Sequence, residues 1–179
     1  MPLPTLQTPR LTLRPWTLGD IDELHALWTR PEVRRYLWDD EVISRERAEQ
    51  TVRELIAAEE RENLGGWTVI AGAERTSAGF VAFIRREAGD PDLLYGLAPE
   101  WWGQGLATEA AAAALAYAFG PLGSARVTAA TDVPNAPSVR VLERLGMRFT
   151  HRGTLNGLDT LFYEMRREDF ATAPNMARR

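Results

Sequence analysis

The chain has 179 residues, 45% hydrophobic and 26% charged, a balance that fits one globular domain needing neither disulfide nor metal to fold. It contains no cysteine, and every basic residue is arginine, which excludes a thiol nucleophile, a disulfide framework, Schiff-base chemistry and a lysine-dependent phosphate loop. The net charge is −4, the arginines form no stripe, and the two histidines, His25 and His151, stand far apart, which argues against nucleic acid as a partner and against a histidine metal site.

Leu11 and Leu13 alternate with Thr12 and Arg14, which predicts a strand over 10–16. Thr17 and Asp20 have capping-box spacing, and Ile21, Leu24 and Trp28 follow at helical period, so a first helix should run to about Thr29 and stop at Pro31. Ser44 can cap a second helix with Ala48, Val52, Leu55 and Ile56 on one face, ended by Gly65 and Gly66. Strands are expected at 67–71, 78–85 and 93–97, the first two joined by a short turn over 72–75. A loop over 98–102 then leads to a helix over 105–119, a strand over 125–131 and a helix over 137–145 ended by Gly146. Strands at 147–152 and 159–165 close a hairpin around Asn156-Gly157. The order β-α-α-β-β-β-α-β-α-β-β predicts a mixed α/β domain. Its seven-stranded sheet should be mostly antiparallel, with a central β-α-β crossover and helices on both faces. Residues 1–170 read as that single domain and 171–179 as a disordered tail. No apolar run approaches the ~20 residues of a membrane span, and residues 1–8 lack a leader pattern, so a cytoplasmic protein without a membrane partner is expected.

The strongest local signal is Trp102-Gly103-Gln104-Gly105-Leu106-Ala107-Thr108, between a strand and an alanine-rich helix. Glycines let backbone N–H groups converge, and the first helical turn adds its unpaired N–H groups and positive dipole end; together they suit a pyrophosphate. Ala107, Ala110 and Ala111 leave room for a bulky ligand. Alone, the stretch also fits a tight loop that starts a helix. A dinucleotide fold fits less well, because Thr108 holds the third glycine position and antiparallel strands precede the turn. On the next helix, Pro137 suits the first turn and Asn135 the cap, while Ser138, Leu142 and Leu145 share one face and direct the serine toward the sheet. A simple cap with a self-bonding serine is the plain account. Both crossover helices start at the same sheet edge, which would set these residues opposite the glycine turn.

On these residues the chain resembles the GNAT superfamily of N-acetyltransferases, and within it the RimJ/RimL-type ribosomal-protein N-acetyltransferases. The resemblance runs from residues 8–16 to 166–170. Residues 99–110 are similar to that branch's acetyl-CoA pyrophosphate loop and 135–147 to its second cofactor motif. Trp102 stands where the superfamily often has arginine or glutamine, and Asp92 where a glutamate linked to catalysis is often found.

The resemblance implies a GNAT-like fold, acetyl-CoA as co-substrate, no metal, and direct attack of a neutral amine on the thioester without an acetyl-enzyme. The lack of cysteine agrees. It implies backbone contacts at Leu97, Ala98 and Pro99 for the pantetheine arm and the thioester carbonyl. The turn Trp102, Gly103, Gln104, Gly105, Leu106, Ala107 and Thr108 would hold the pyrophosphate. Ser138 would stabilise or protonate the departing thiolate, and Asn135 would fix the cofactor arm or an ordered water. Asp92 is the candidate base, with an exposed strand-edge aspartate as its alternative reading. Trp38-Asp39-Asp40-Glu41 lies where the family admits its acceptor, and is either a hold for a cationic substrate or a solvated loop. Arg140 or Arg144 is within reach of a coenzyme 3′-phosphate. The expected acceptor is a primary amine, with a protein N-terminal α-amine favoured over a small-molecule amine. The rivals are a non-catalytic acetyl-CoA-binding module and a nucleotide-binding Rossmann-like protein. Monomer and homodimer are both open.

Overall fold

The computed structural model of the chain describes residues 2–72, 76–86 and 89–172. Strands β1 (Leu6–Gln7) and β2 (Leu11–Pro15) lead into helices α1 (Ile21–Trp28), α2 (Pro31–Arg34) and α3 (Arg45–Glu62). Strands β3 (Gly66–Ala71), β4 (Thr76–Arg85) and β5 (Pro91–Leu97) follow, then α4 (Leu106–Phe119), β6 (Arg126–Asp132) and α5 (Ala136–Arg144). The hairpin β7 (Arg148–Leu155) and β8 (Leu158–Arg166) and helix α6 (Arg167–Thr172) complete the chain.

All strands join one eight-stranded sheet in the order β1-β2-β3-β4-β5-β6-β8-β7. Every neighbouring pair is antiparallel except β5 and β6, the crossover pair around α4. The mixed sheet and its crossover are those expected. The eighth strand is β1, which at two residues is too short to show a period of two in the sequence. Helices cover both faces. Leu11, Leu13, Val69, Phe83, Leu93 and Val127 form one core with α4 and α5. Trp16, Phe80 and Ala82 form the other with α1, α2 and α3. Alanines at 110, 111, 114 and 118 are fully buried and let α4 lie close against the sheet.

Three local expectations are corrected. Pro31 ends α1 but also opens α2, because its fixed φ and missing N–H suit a first helical position. Helix α3 ends on Asn63, whose φ of 54 gives the left-handed cap expected at Gly65 and Gly66; Gly66 instead starts β3. Strand alternation at 147–152 extends to Leu155, so the Asn156-Gly157 turn is a tight two-residue hairpin. The Thr17 capping box is present: Thr17 N–H donates to Asp20 Oδ2 at 2.7 Å. Most of the turn over 72–75 lies outside the described residues, as do 173–179 of the segment read as a tail. Among the described residues no helix is long and apolar enough to cross a membrane.

One feature of the sheet sets up the site. β5 and β6 are in register at Asp92↔Thr128, near the start of both strands, and no Cα partners follow toward Leu97 and Asp132. The strands part there, and α4 and α5 both begin at the open end.

Candidate active site

A cleft of about 530 Å³ occupies that open end. One wall is the turn before α4. Gly103 and Gly105 have φ of 74 and 76, which other residues rarely adopt, and a Cβ added at Gly103 would meet nothing within 4 Å. The backbone at Gly103 is therefore open on that side, while a Cβ at Gly105 would touch Arg10 Nη2 at 3.7 Å. Of the seven turn residues, Trp102, Gly103, Gly105, Leu106, Ala107 and Thr108 line the cleft. Gln104 does not: its carbonyl accepts from Arg10 Nη1 at 2.9 Å and its side-chain amide bonds Glu100. Thr108 Oγ1 is buried and has no hydrogen-bond partner, an orphaned donor in the first turn of α4.

The turn is latched from behind. Glu109 accepts from Thr8 Oγ1 at 2.6 Å, from Arg10 N–H at 3.0 Å and from Arg10 Nε at 2.6 Å. Burial pushes the Glu109 carboxyl up, but these donors outweigh it and hold its pKa below the ordinary value. The sequence gives no direct sign of this latch, because its partners lie 99 residues apart.

The second wall comes from β5. Ala98 N–H donates to the Ala78 carbonyl at 2.8 Å, and Pro99 has no N–H, so neither has a donor for a ligand. Strand alternation turns the Leu97 N–H away from β4 and toward the parting. The Leu97 carbonyl is already taken by Trp102 Nε1 at 2.7 Å. The N–H cradle expected over 97–99 is thus narrowed to Leu97, which lines the cleft while Ala98 and Pro99 do not.

The third wall is the start of α5. Asn135 and Ser138 line the cleft, facing the glycine turn as the helix phase predicts. Asn135 Oδ1 caps α5 by accepting from Ser138 N–H at 3.3 Å. Ser138 Oγ lies 2.8 Å from the hydroxyl of Tyr95, a cleft residue that sequence reading overlooked. The available signal is parity: Tyr95 shares the strand face of Leu97, and Asp92 lies on the opposite face. Burial pushes the Tyr95 phenol up to about 12, against a smaller lowering by the Ser138 bond. Arg140 and Arg144, one helical turn apart, also line the cleft, and neither makes an ion pair among the described residues.

Asp92 is not brought to the cleft. It is 3% exposed at the vertex where β5 and β6 still pair, with Oδ2 accepting from Arg86 Nε at 2.7 Å and Oδ1 from Thr128 Oγ1 at 2.7 Å. It is buried off the cleft and is not an exposed edge residue.

The far end of the cleft is closed by α2 and the residues after it, through Glu32, Val33, Tyr36 and Leu37. Tyr36 Oη donates to the Pro134 carbonyl at 3.4 Å, bridging this segment to the start of α5. The acidic run beside it points elsewhere. Trp38 packs on Trp28 with centroids 5.5 Å apart, and Asp40 pairs with Arg34 at 2.9 Å. Asp39 adds to burial in raising the pKa of Asp132. No group of three or more potential metal-ligating side chains occurs among the described residues.

The chain matches a family model described as an acetyltransferase (GNAT) domain over residues 10–148. It is 29% identical over 146 residues to p20 of Bacillus licheniformis, an uncharacterized N-acetyltransferase, covering 80% of this chain and 82% of that one. Among solved structures, the ribosomal-protein-S5-alanine acetyltransferase of Vibrio fischeri has a TM-score of 0.77 at 18% identity, covering 93% of this chain and 98% of that one. The spermidine N-acetyltransferase of Vibrio cholerae, solved with CoA and spermine, has a TM-score of 0.77 at 21% identity, covering 92% and 99%. At these identities the structural likeness is one of fold.

Proposed function

The chain belongs to the GNAT family of acetyltransferases, enzymes that use acetyl-CoA, and on that premise we propose that the cleft between β5 and β6 carries acetyl transfer to an α-amine. The single observation that carries this reading is the placement of an open glycine turn, the Leu97 N–H and Ser138 on three walls of one cleft. The unpartnered Thr108 hydroxyl and the exposed turn amides fit a pyrophosphate, which brings acceptor oxygens and negative charge to a helix N-terminus. Arg140 and Arg144 fit the remaining phosphate of the coenzyme.

When bound, acetyl-CoA supplies an activated acetyl group as a thioester. Leu97 N–H donates to the thioester oxygen, where charge grows as the amine attacks. Ser138 Oγ–H donates to the sulfur as the C–S bond breaks. The acceptor enters from the side of Glu32, Tyr36 and Leu37. Among the described residues lining the cleft, Glu32 is the lone carboxylate and no histidine is present.

That sparse supply of bases favours an α-amine. With a pKa near ~8, about a tenth of an α-amine is already neutral at pH 7, whereas a lysine amine near ~10.4 is about 0.04% neutral. A peptide N-terminus, as in the RimJ/RimL branch, therefore suits the site. Glu32 favours a second reading, in which a small amine with another positive charge is held beside that carboxylate.

Thiol release from acetyl-CoA, followed colorimetrically over short peptides, polyamines, amino acids and aminoglycosides, tests both; the chain itself adds no thiol. Release with peptides of one N-terminal class is the expected outcome. Release confined to polyamines selects the second reading. Silence across the panel, with no thermal shift on adding acetyl-CoA, overturns both.

A further inference from the structure

We propose that Tyr95 is a positioning residue for acetyl transfer: its phenol orients the Ser138 hydroxyl so that the serine proton faces the departing sulfur. This rests on the reading of the cleft as the acetyl-CoA site.

Tyr95 lies midway along β5, on the face toward α4 and α5, and lines the cleft where β6 has parted from β5. Its hydroxyl is 2.8 Å from Ser138 Oγ and 3.3 Å from the Ser138 carbonyl. A serine in the first turn of a helix ordinarily has a rival use for its proton, a bond to the carbonyl four residues back. That carbonyl belongs to Pro134, and it already accepts from Tyr36 Oη at 3.4 Å and Ala136 N–H at 3.0 Å. Tyr95 provides the remaining constraint. When the phenol donates to Ser138 Oγ, the serine proton has no acceptor on its own helix and is free for the cleft. When the serine donates to the phenol instead, the phenol proton turns to the Ser138 carbonyl and the cleft sees no donor. Negative charge on the sulfur selects the first arrangement, and two aligned bonds in series polarise each other.

Magnitudes separate hydrogen bonding from proton donation. Burial pushes the phenol up to about 12, while a thiol titrates near ~8.5. Transfer of the phenol proton to the thiolate is uphill by about 3.5 units. Tyr95 therefore keeps its proton throughout. The amine lone pair forms the new C–N bond, the C–S electron pair goes to sulfur, and the extra proton on nitrogen leaves to solvent. Tyr95 and Ser138 end the step protonated as they began.

The thiol of bound coenzyme A reports this relay directly. Its ionisation can be followed by ultraviolet difference absorbance against the complex with desulfo-coenzyme A, free of interference because the chain has no cysteine. In the wild type the bound thiol should titrate below ~8.5. Tyr95→Phe and Ser138→Ala should each raise that value by about half a unit or more, and the double variant no further, as expected for groups acting through one another. Tyr95→Phe should also lower kcat about tenfold while KM for acetyl-CoA stays within about twofold, the split of an interaction made in the transition state. Unchanged kcat and thiol ionisation in Tyr95→Phe would overturn the proposal. So would defects that add in the double variant, or a loss confined to KM. A wild type that binds no coenzyme A would overturn the site reading itself, and the relay with it.

Discussion

At Asp92 both carboxylate oxygens are committed, one to Arg86 and one to Thr128. The residue pins β5 to β6 at the point from which they diverge. Asp92→Asn keeps the shape and removes the charge. We expect kcat within about twofold of wild type, since loss of a true general base costs about a hundredfold or more. Thermal unfolding should move down by several degrees, because the buried position of Asp92 would lose the carboxylate that accepts from Arg86 and Thr128. Steady-state kinetics and a melting curve decide it; a hundredfold loss of kcat with an unchanged melt would make Asp92 the base after all. That Ser138 and Asn135 face the cleft was legible because helix phase and capping are local rules. That Asp92 lies off the cleft was not legible, because the same alternation that gives a strand its two faces does not say which face meets a cleft. Tyr95 was invisible for a related reason: its partner is 43 residues away, and only the fold brings them together.

The glycine turn is an element held in shape by another element. Glu109 sits in the first turn of α4 and gathers Thr8 and Arg10 from the segment between β1 and β2. Arg10 in turn bonds the Gln104 carbonyl inside the turn at 2.9 Å. Glu109→Gln weakens this latch without emptying it. The expected result is a rise in KM for acetyl-CoA of about tenfold, the worth of one charge-assisted hydrogen bond, with a smaller change in kcat. Equal loss in kcat and kcat/KM would mean that the latch serves the transition state instead. The turn itself was legible, since Gly-x-Gly before an alanine-rich helix carries its own geometry. The short helix α2 was not, although it closes the far end of the cleft. Pro31 satisfies both the rule for ending a helix and the rule for beginning one, and four residues carry too little periodicity to choose. Asn63 took the left-handed cap two residues before the glycines that seemed made for it.

The whole molecule has a stability window set by two kinds of group. Burial pushes the Asp20 carboxyl up, but Arg14 and Thr17 outweigh it and hold it below its ordinary value. Glu109 is likewise depressed, and Glu164 is held down by Arg148, with Arg126 adding to it. Each of these releases its proton more readily in the folded chain than in the unfolded one. Their contribution is therefore complete above the ordinary carboxylate range near ~4 and drains away as pH falls through and below it. Tyr95, Tyr117 and Tyr163 are shifted the other way, by burial first. They hold their protons longer when folded, so their contribution is complete below ~10 and is lost as pH rises above it. With no lysine in the chain, the alkaline fall belongs to tyrosine. Melting temperature against pH should show a plateau between about 5 and 10 with a decline on each side; a profile still rising below pH 4 would contradict the acid limb. The broad architecture could be read from the order of strands and helices, but the parting of β5 from β6 could not, because nothing in either strand marks where pairing stops. That parting leaves two half-sheets, β1 to β5 and β6 to β8, joined through a single parallel ladder and the helices laid across it. A ligand filling the cleft would touch β5 and the starts of α4 and α5 together. Such a ligand would brace the frame at the point where the β5–β6 ladder stops, so adding acetyl-CoA should raise the melting temperature.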